Sequence, residues 1–304
     1  MQRRGQSRAV KSVMHSEAER NLRSTPRKAP DVHRALRRTS RGCEVASQPR
    51  AASAICCRGL KGEYIADVFS GDGGVSKAIR CLGFNAKEIE ILHGTDSDLT
   101  RPVVRHRLKQ DSKNNNLIAV MFAPPCSSFS PARDRTSVIR TKQQPWGIDA
   151  HLLNAKDTVK VSVGNKCFSA TFDVIRSLDL HRTPWILENP HASKCWYLPQ
   201  LITLAGRPHV QTIVTDFCQF GTRWRKRTRF LCGNMDSIDL HRLQHTCTNS
   251  GICNRTGKQH FQLTGSNKHG IPWTRIAQPY PQKLCRALAH ALFAHKHYNS
   301  GLLT

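Results

Sequence analysis

The residues best suited to chemistry stand where apolar runs end. In AVMFAPPCSSFSPARDR, residues 119–135, a strand-forming run stops at Pro124-Pro125 and presents Cys126. Two prolines fix the turn and remove backbone donors, so the thiol is held rather than mobile. A thiol is an intrinsically strong nucleophile, and cations such as Arg133 and Arg135 nearby favour its thiolate. Taken alone, a cysteine at a strand end reads first as structural. WILENP brings Glu188 and Asn189 to the end of another apolar run. A buried carboxyl there has a raised pKa and works as an acid; the bland alternative is a turn cap by Asn189-Pro190. DVFSGDGGVS places Gly71 and Gly73 where a strand must turn tightly into a helix, a shape that lets a cofactor approach the backbone. It lacks the G-x-G-x-x-G order that a dinucleotide prefers. Glu90, Asp96 and Asp98 follow the next strand, where an acid accepts hydrogen bonds from a ribose diol or an adenine amine; a solvated acidic loop is the alternative.

These stretches need a scaffold that delivers strand ends to one edge. EYIADVF reads as a buried strand, GGVSKAIRCLGF as a helix and AKEIEIL as a second strand, a βαβ opening. DLTRPVVRHRLKQD predicts a helix, NLIAVMFA a strand, residues 150–180 a helix, and PWILENP another strand. Strands follow at VQTIVTDF and RTRFLC, and YPQKLCRALAHALFAHKHY closes the chain as an amphipathic helix. Alternation of this kind predicts an α/β fold, an open and mostly parallel sheet covered by helices. In such sheets ligands bind beyond the carboxyl ends of the strands, where all four stretches fall.

Composition narrows the partner. A formal net charge of +26 over 304 residues points to a polyanion, nucleic acid ahead of an anionic membrane. Residues 1–60 hold fourteen Lys/Arg against four Asp/Glu without an apolar period, which predicts a disordered basic arm. Its readings are nonspecific phosphate contact, a nuclear-import signal, or a segment under little constraint. No apolar run reaches the roughly 18 residues of a membrane span, so a soluble intracellular protein without membrane contact is expected, in a nucleus or nucleoid. Twelve cysteines in such a chain suggest thiol chemistry or metal ligation before disulfides.

Taken in order, DVFSGDGG, DLT, APPCSSFS, LENP and RKRTR resemble the motif series of the cytosine-C5 methyltransferase family, over roughly residues 63–298. The resemblance implies a Rossmann-like S-adenosylmethionine-dependent methyltransferase sheet with helices on both faces, plus a small irregular insert. It implies cofactor contacts at Asp67, Phe69, Gly71, Gly73 and Pro124, with Glu90 at the ribose and Asp98 at the adenine. It makes Cys126 the nucleophile that adds to C6 of cytosine and Glu188 the acid at N3. It gives Arg227 and Arg229 the task of orienting that carboxyl and the nucleic-acid backbone. DNA is the expected substrate, with RNA methylation or a catalytically inactive nucleic-acid-binding relative as alternatives. An amino-methyltransferase is disfavoured, because APPC lacks both the polar residue and the aromatic of the polar-Pro-Pro-aromatic tetrad which holds an exocyclic amine.

The chain departs from the family pattern at Ala123, at Ser127 and in ENP, and its last segment, TRIAQPYPQKLCRALA, lacks the Asn of the family's final motif. On this reading residues 61–231 form the catalytic domain, 232–270 a short recognition insert, and 271–304 a helical segment completing the domain. The insert holds Cys247, Cys253 and His260, with Cys232, His241 and His245 nearby in sequence. That set suits a small zinc knuckle, in which metal ligation replaces an absent core; a basic loop with incidental thiols is the alternative. Arg255 and Lys258 make the insert a candidate nucleic-acid contact in either case.

Overall fold

The computed structural model describes residues 62–248 and 251–299. The basic arm assigned to residues 1–60 lies outside the described residues. In chain order the elements are β1 (Tyr64–Val68), α1 (Gly74–Cys81), β2 (Ala86–Ile89), α2 (Pro102–Lys113), β3 (Leu117–Phe122), α3 (Ala155–Leu180), β4 (Trp185–Pro190), α4 (Pro199–Ala205), β5 (Val210–Asp216), β6 (Arg227–Gly233), α5 (Ser237–Leu240), α6 (Trp273–Ile276) and α7 (Gln282–Asn299).

The strands make one sheet of order β2-β1-β3-β4-β6-β5. The first four run parallel, and β1, β3 and β4 among them are near-continuous buried runs, as strands covered on both faces must be, whereas the edge strand β2 buries only Ile89 fully. The last two depart from the parallel expectation, since β6 runs antiparallel to both β4 and β5. The short helix α4 has no counterpart in the sequence reading. Strand β2 ends sooner than AKEIEIL suggests, because the Glu90 side chain accepts from the Leu92 amide and starts a 3₁₀ turn over Ile91–His93.

Side-chain alternation sends the strands' apolar residues to two cores. Ala66, Val68, Val120, Phe122 and Leu187 pack on one face with Leu108 of α2, Phe168 of α3 and Leu201 of α4. Ile65, Ala119, Met121, Ile186 and Phe230 pack on the other with Ile79 of α1 and Leu288 of α7. The chain leaves β1 for β2 on one side and returns to β3 on the other, so the carboxyl ends of β1 and β3 flank the point where strand order reverses. Among the described residues, no helix is long and apolar enough to cross a membrane.

Packing is tightest where Trp185 faces Gly233 across the β4–β6 ladder. The indole is fully buried, its Nε1 donates to Asp179 Oδ1 at 2.7 Å, and a β-carbon at position 233 would sit 2.2 Å from the ring. A methyl inserted into a packed core costs about 1–3 kcal/mol. Gly233→Ala is therefore expected to lower Tm by several degrees in a thermal melt, and an unchanged Tm would show that the indole has room to move.

Candidate functional site at the carboxyl ends of the central strands

The turn after β1 is shaped as a cradle. Phe69, Gly71 and Gly73 all adopt positive φ, at 60°, 53° and 65°. Nothing lies within 4 Å of where a β-carbon on Gly71 would stand, whereas one on Gly73 would meet the Glu88 carboxylate at 3.1 Å. Gly73 is thus required by both backbone and space, and Gly71 faces open room. Asp67 is buried at the end of β1, and its Oδ2 accepts from the Ser76 amide and hydroxyl at 3.0 and 2.8 Å. Burial pushes its pKa up to about 6 against those donors. Glu90 caps the opposite wall by accepting from the Gly71 amide at 3.1 Å. Asp98 is half-buried and binds Thr100 through the amide and hydroxyl, while Asp96 is exposed and paired with Arg101.

Cys126 sits on the next strand end. The Ala123 amide donates to Val68 O, tying the departure of β3 to the end of β1. Pro124 is buried and its carbonyl accepts from Asn189 Nδ2 at 3.0 Å, so β4 holds the loop from its other side. Arg140, which holds the residues just after the thiol, is fully buried. It donates to Ser128 Oγ, Val161 O, Pro145 O and Asn165 Oδ1, and its guanidinium lies 3.8 Å from the Phe129 ring centroid. A β-carbon on Gly164 of α3 would come within 2.5 Å of Ser128 Oγ and 2.9 Å of Arg140, so only glycine admits this pin.

Glu188 is the buried acid of the site. Its Oε2 accepts from the Tyr280 hydroxyl at 2.8 Å, and its buried Oε1 has no hydrogen-bond partner. Burial raises the carboxyl's pKa, opposed by the Lys226 charge and the Tyr280 hydrogen bond. The Cys126 thiol is raised as well, first by burial and then by the Glu188 charge, with Lys226 again pulling down. Thiol, carboxyl and ammonium therefore act on one another. Lys226 is anchored by Gln278 O at 3.3 Å and by the Phe217 ring, whose centroid lies 4.6 Å from Nζ.

The arginines of RKRTR lie elsewhere. Glu188 is in register with Phe230, and Arg229 with Asn189, so Arg227 and Arg229 project to the face of the sheet opposite Glu188. Arg227 closes a two-pronged pair on Asp216, its direct cross-strand neighbour, with Nη2 at 2.8 Å from Oδ2. Arg229 stacks over Trp196. The structure thus does not bring either arginine to the carboxyl. Lys226, of the same strand parity as Thr228 and Phe230, takes that place. Tyr280, within the last segment, supplies the hydroxyl. Neither was assigned from sequence, although counting back in twos from Phe230 identifies Lys226. Cys247, Cys253 and His260 do come together, and Cys218 from the turn after β5 joins them.

The coupling has a measurable sign. Removing the negative neighbour lowers the thiol's pKa and removing the positive one raises it. The pH midpoint for alkylation of Cys126, followed on its own peptide by mass spectrometry, is expected to move down in Glu188→Gln and up in Lys226→Met. Movement of both in one direction would contradict this electrostatic triad.

No family description matches the chain, and no curated protein matches it. Solved structures similar to it include a Spodoptera frugiperda DNMT2 mutant, at 14% identity and a TM-score of 0.33 over 56% of this chain and 49% of that one. The S. pombe Dnmt2 methyltransferase is similar at 13% identity and a TM-score of 0.35, over 60% and 55%. The Entamoeba histolytica methyltransferase EhMeth is similar at 12% identity and a TM-score of 0.31, over 79% and 98%. The chain spans about half the length of the first two. Identities and scores this low leave the geometry at the strand ends as the ground for a functional reading.

Proposed function

We propose that the chain methylates C5 of cytosine in a nucleic acid, DNA before RNA, through a covalent adduct on Cys126. One observation carries the reading: a cysteine in the loop just beyond β3 and a buried glutamate within the neighbouring strand β4 act electrostatically on one another, with one carboxylate oxygen left without a partner. The motif order of the sequence and the net charge of +26 support it.

The residues present fit S-adenosylmethionine. The open cradle at Phe69, Gly71 and Gly73 would take its methionine portion, Glu90 its ribose and Asp98 its adenine, with Asp67 and Pro124 shaping the walls. When bound, it supplies an electrophilic methyl group on a sulfonium. The rest falls to the chain. A base inside a duplex cannot reach Cys126, so the target cytosine leaves its stack. The Cys126 thiolate adds to C6, forming the C–S bond and moving the ring's electron pair toward C5 and N3. Glu188, whose carboxyl is shifted toward its protonated form by burial, donates to N3 through the oxygen that has no partner in the protein. Tyr280 fixes the other oxygen, and Lys226 favours the thiolate. After methylation the C5 proton is lost to a base, the C6–S bond breaks, N3 returns its proton to Glu188, and the thiolate is released.

Duplex DNA and structured RNA bearing 5-fluorocytosine, each with S-adenosylmethionine, form the test, because fluorine blocks the final proton loss. Wild type is expected to form a denaturant-stable complex through Cys126, DNA trapping better than RNA. Cys126→Ser is expected to form none, and Glu188→Gln to methylate about 10²–10⁴-fold more slowly, the usual worth of a general acid. Full methylation by Cys126→Ser would sink the covalent mechanism.

A further inference from the structure

We propose that Cys218, Cys247, Cys253 and His260 bind one Zn²⁺ ion, and that this ion fastens the 232–270 insert to the turn after β5. One ligand atom from each residue falls within 4.8 Å of all the others, and all four residues are buried. A tetrahedral zinc site with Zn–S bonds of about 2.3 Å separates its ligand atoms by about 3.5–3.8 Å. Cys247 Sγ stands 3.7 Å from His260 Nε2. The set is of the right size and composition for a closed structural site. Thiolates with imidazole select zinc over the oxygen-seeking Mg²⁺ and Ca²⁺.

Packing gives an independent reason. Cys218, Cys247 and Cys253 form a small buried cluster separate from the two cores of the sheet. Beyond Leu243, which still packs in the second core, three thiol side chains bury too little apolar surface to hold the rest of the insert, whose described β pairing consists of two isolated bridges, Ile252–Gln259 and Ser266–Pro272. A metal supplies the missing folding free energy.

The surroundings are built for a ligand set. Residues 253–258 form a tight turn: the Cys253 amide donates to Lys258 O and the Gly257 amide to Cys253 O, both at 2.8 Å, with Gly257 at φ 66°. Gln219 Nε2 lies 3.5 Å from Cys218 Sγ and donates to Asn254 Oδ1 at 2.8 Å. Arg255 Nε donates to Cys218 O at 2.7 Å and so ties the 253–258 turn to the turn after β5, while the residue itself stays exposed. Asp216 accepts from the Cys247 amide at 2.7 Å. Loading exchanges three thiol protons, released to solvent, for three Zn–S bonds, with His260 bound as neutral imidazole. Cys218 precedes the loop that leads to Lys226, so the ion would brace that loop from outside the reaction site.

The test uses the full chain purified without chelator. Elemental analysis is expected to find one zinc per chain, released by an organomercurial in step with loss of three thiols. Cobalt exchange should give the visible bands of tetrahedral Co²⁺ with thiolate charge transfer. Cys253→Ser should retain less than about a tenth of an equivalent, whereas His260→Cys, which keeps four soft ligands, and Cys232→Ser, a buried cysteine of β6, should each keep one. Should Cys253→Ser fail to fold, the wild-type metal content and the His260→Cys result still decide. Metal-free folded wild type, a disulfide between any two of the cysteines, another metal in place of zinc, or full zinc in folded Cys253→Ser would each overturn the proposal.

Discussion

The site depends on a carboxyl group buried with only half its hydrogen-bonding capacity met. Leaving a buried polar atom unmatched costs about 1–3 kcal/mol, and an isolated buried charge costs more. Glu188 answers the second cost by favouring its protonated form and the first only in part, through Tyr280. An acid so arranged already points its remaining oxygen where a polar substrate atom would complete it. The arrangement also ties the C-terminal segment to the candidate site. Tyr280 reaches the carboxyl from just ahead of α7, whose Leu284, Cys285 and Leu288 pack into the core beneath the sheet. Near its start, α7 approaches α1 so closely that a β-carbon on Gly74 would lie 2.9 Å from Cys285 Sγ.

A second buried carboxylate organises the opposite edge. Asp216 at the end of β5 takes Arg225, Arg227 and the backbone of Cys247. Burial alone would raise its pKa, yet these donors hold it below the usual carboxylate range, so it is a charge held by partners rather than an acid for chemistry. The two carboxyls divide the labour. Glu188 is incomplete and is coupled to Cys126 in the candidate site; Asp216 is saturated and joins the antiparallel edge to the insert.

Most of the scaffold was legible in sequence because its signals are local. Continuous apolar runs locate β1, β3 and β4, and Gly73 marks the turn between β1 and α1. The reversal of β6 was not legible, since RTRFLC has the same texture whichever way it runs. The candidate site was legible as a juxtaposition where a motif fixes a strand end, as at Cys126 and Glu188, and less so where partners come from far along the chain. Tyr280 is separated from Glu188 by most of the C-terminal third, and Cys218 from Cys247 by all of β6. The arginines show a different limit of sequence pattern. A dipeptide-spaced pair names residues but not the face they occupy, and register across the β4–β6 ladder decides that face in favour of Lys226.

Register also bears on the departures around the thiol. Ser127 is exposed, and Ala123 contributes its amide to Val68 O, a contact any residue but proline makes. The loop is held instead by Asn189 on Pro124 O, by Arg140 on Ser128, and by the space that Gly164 leaves for both. Neither departing position contributes a side chain to that frame. Arg140, buried and with its pKa lowered to about 10 by desolvation, is the most demanding member of the frame, since a guanidinium in a core needs nearly every donor matched. Four acceptors and an aromatic face meet that need, two of these partners, Ser128 and Phe129, lying just after Cys126 in the chain. A loop without a precise task has little use for a buried cation, and its presence argues that the position of this thiol is itself under constraint.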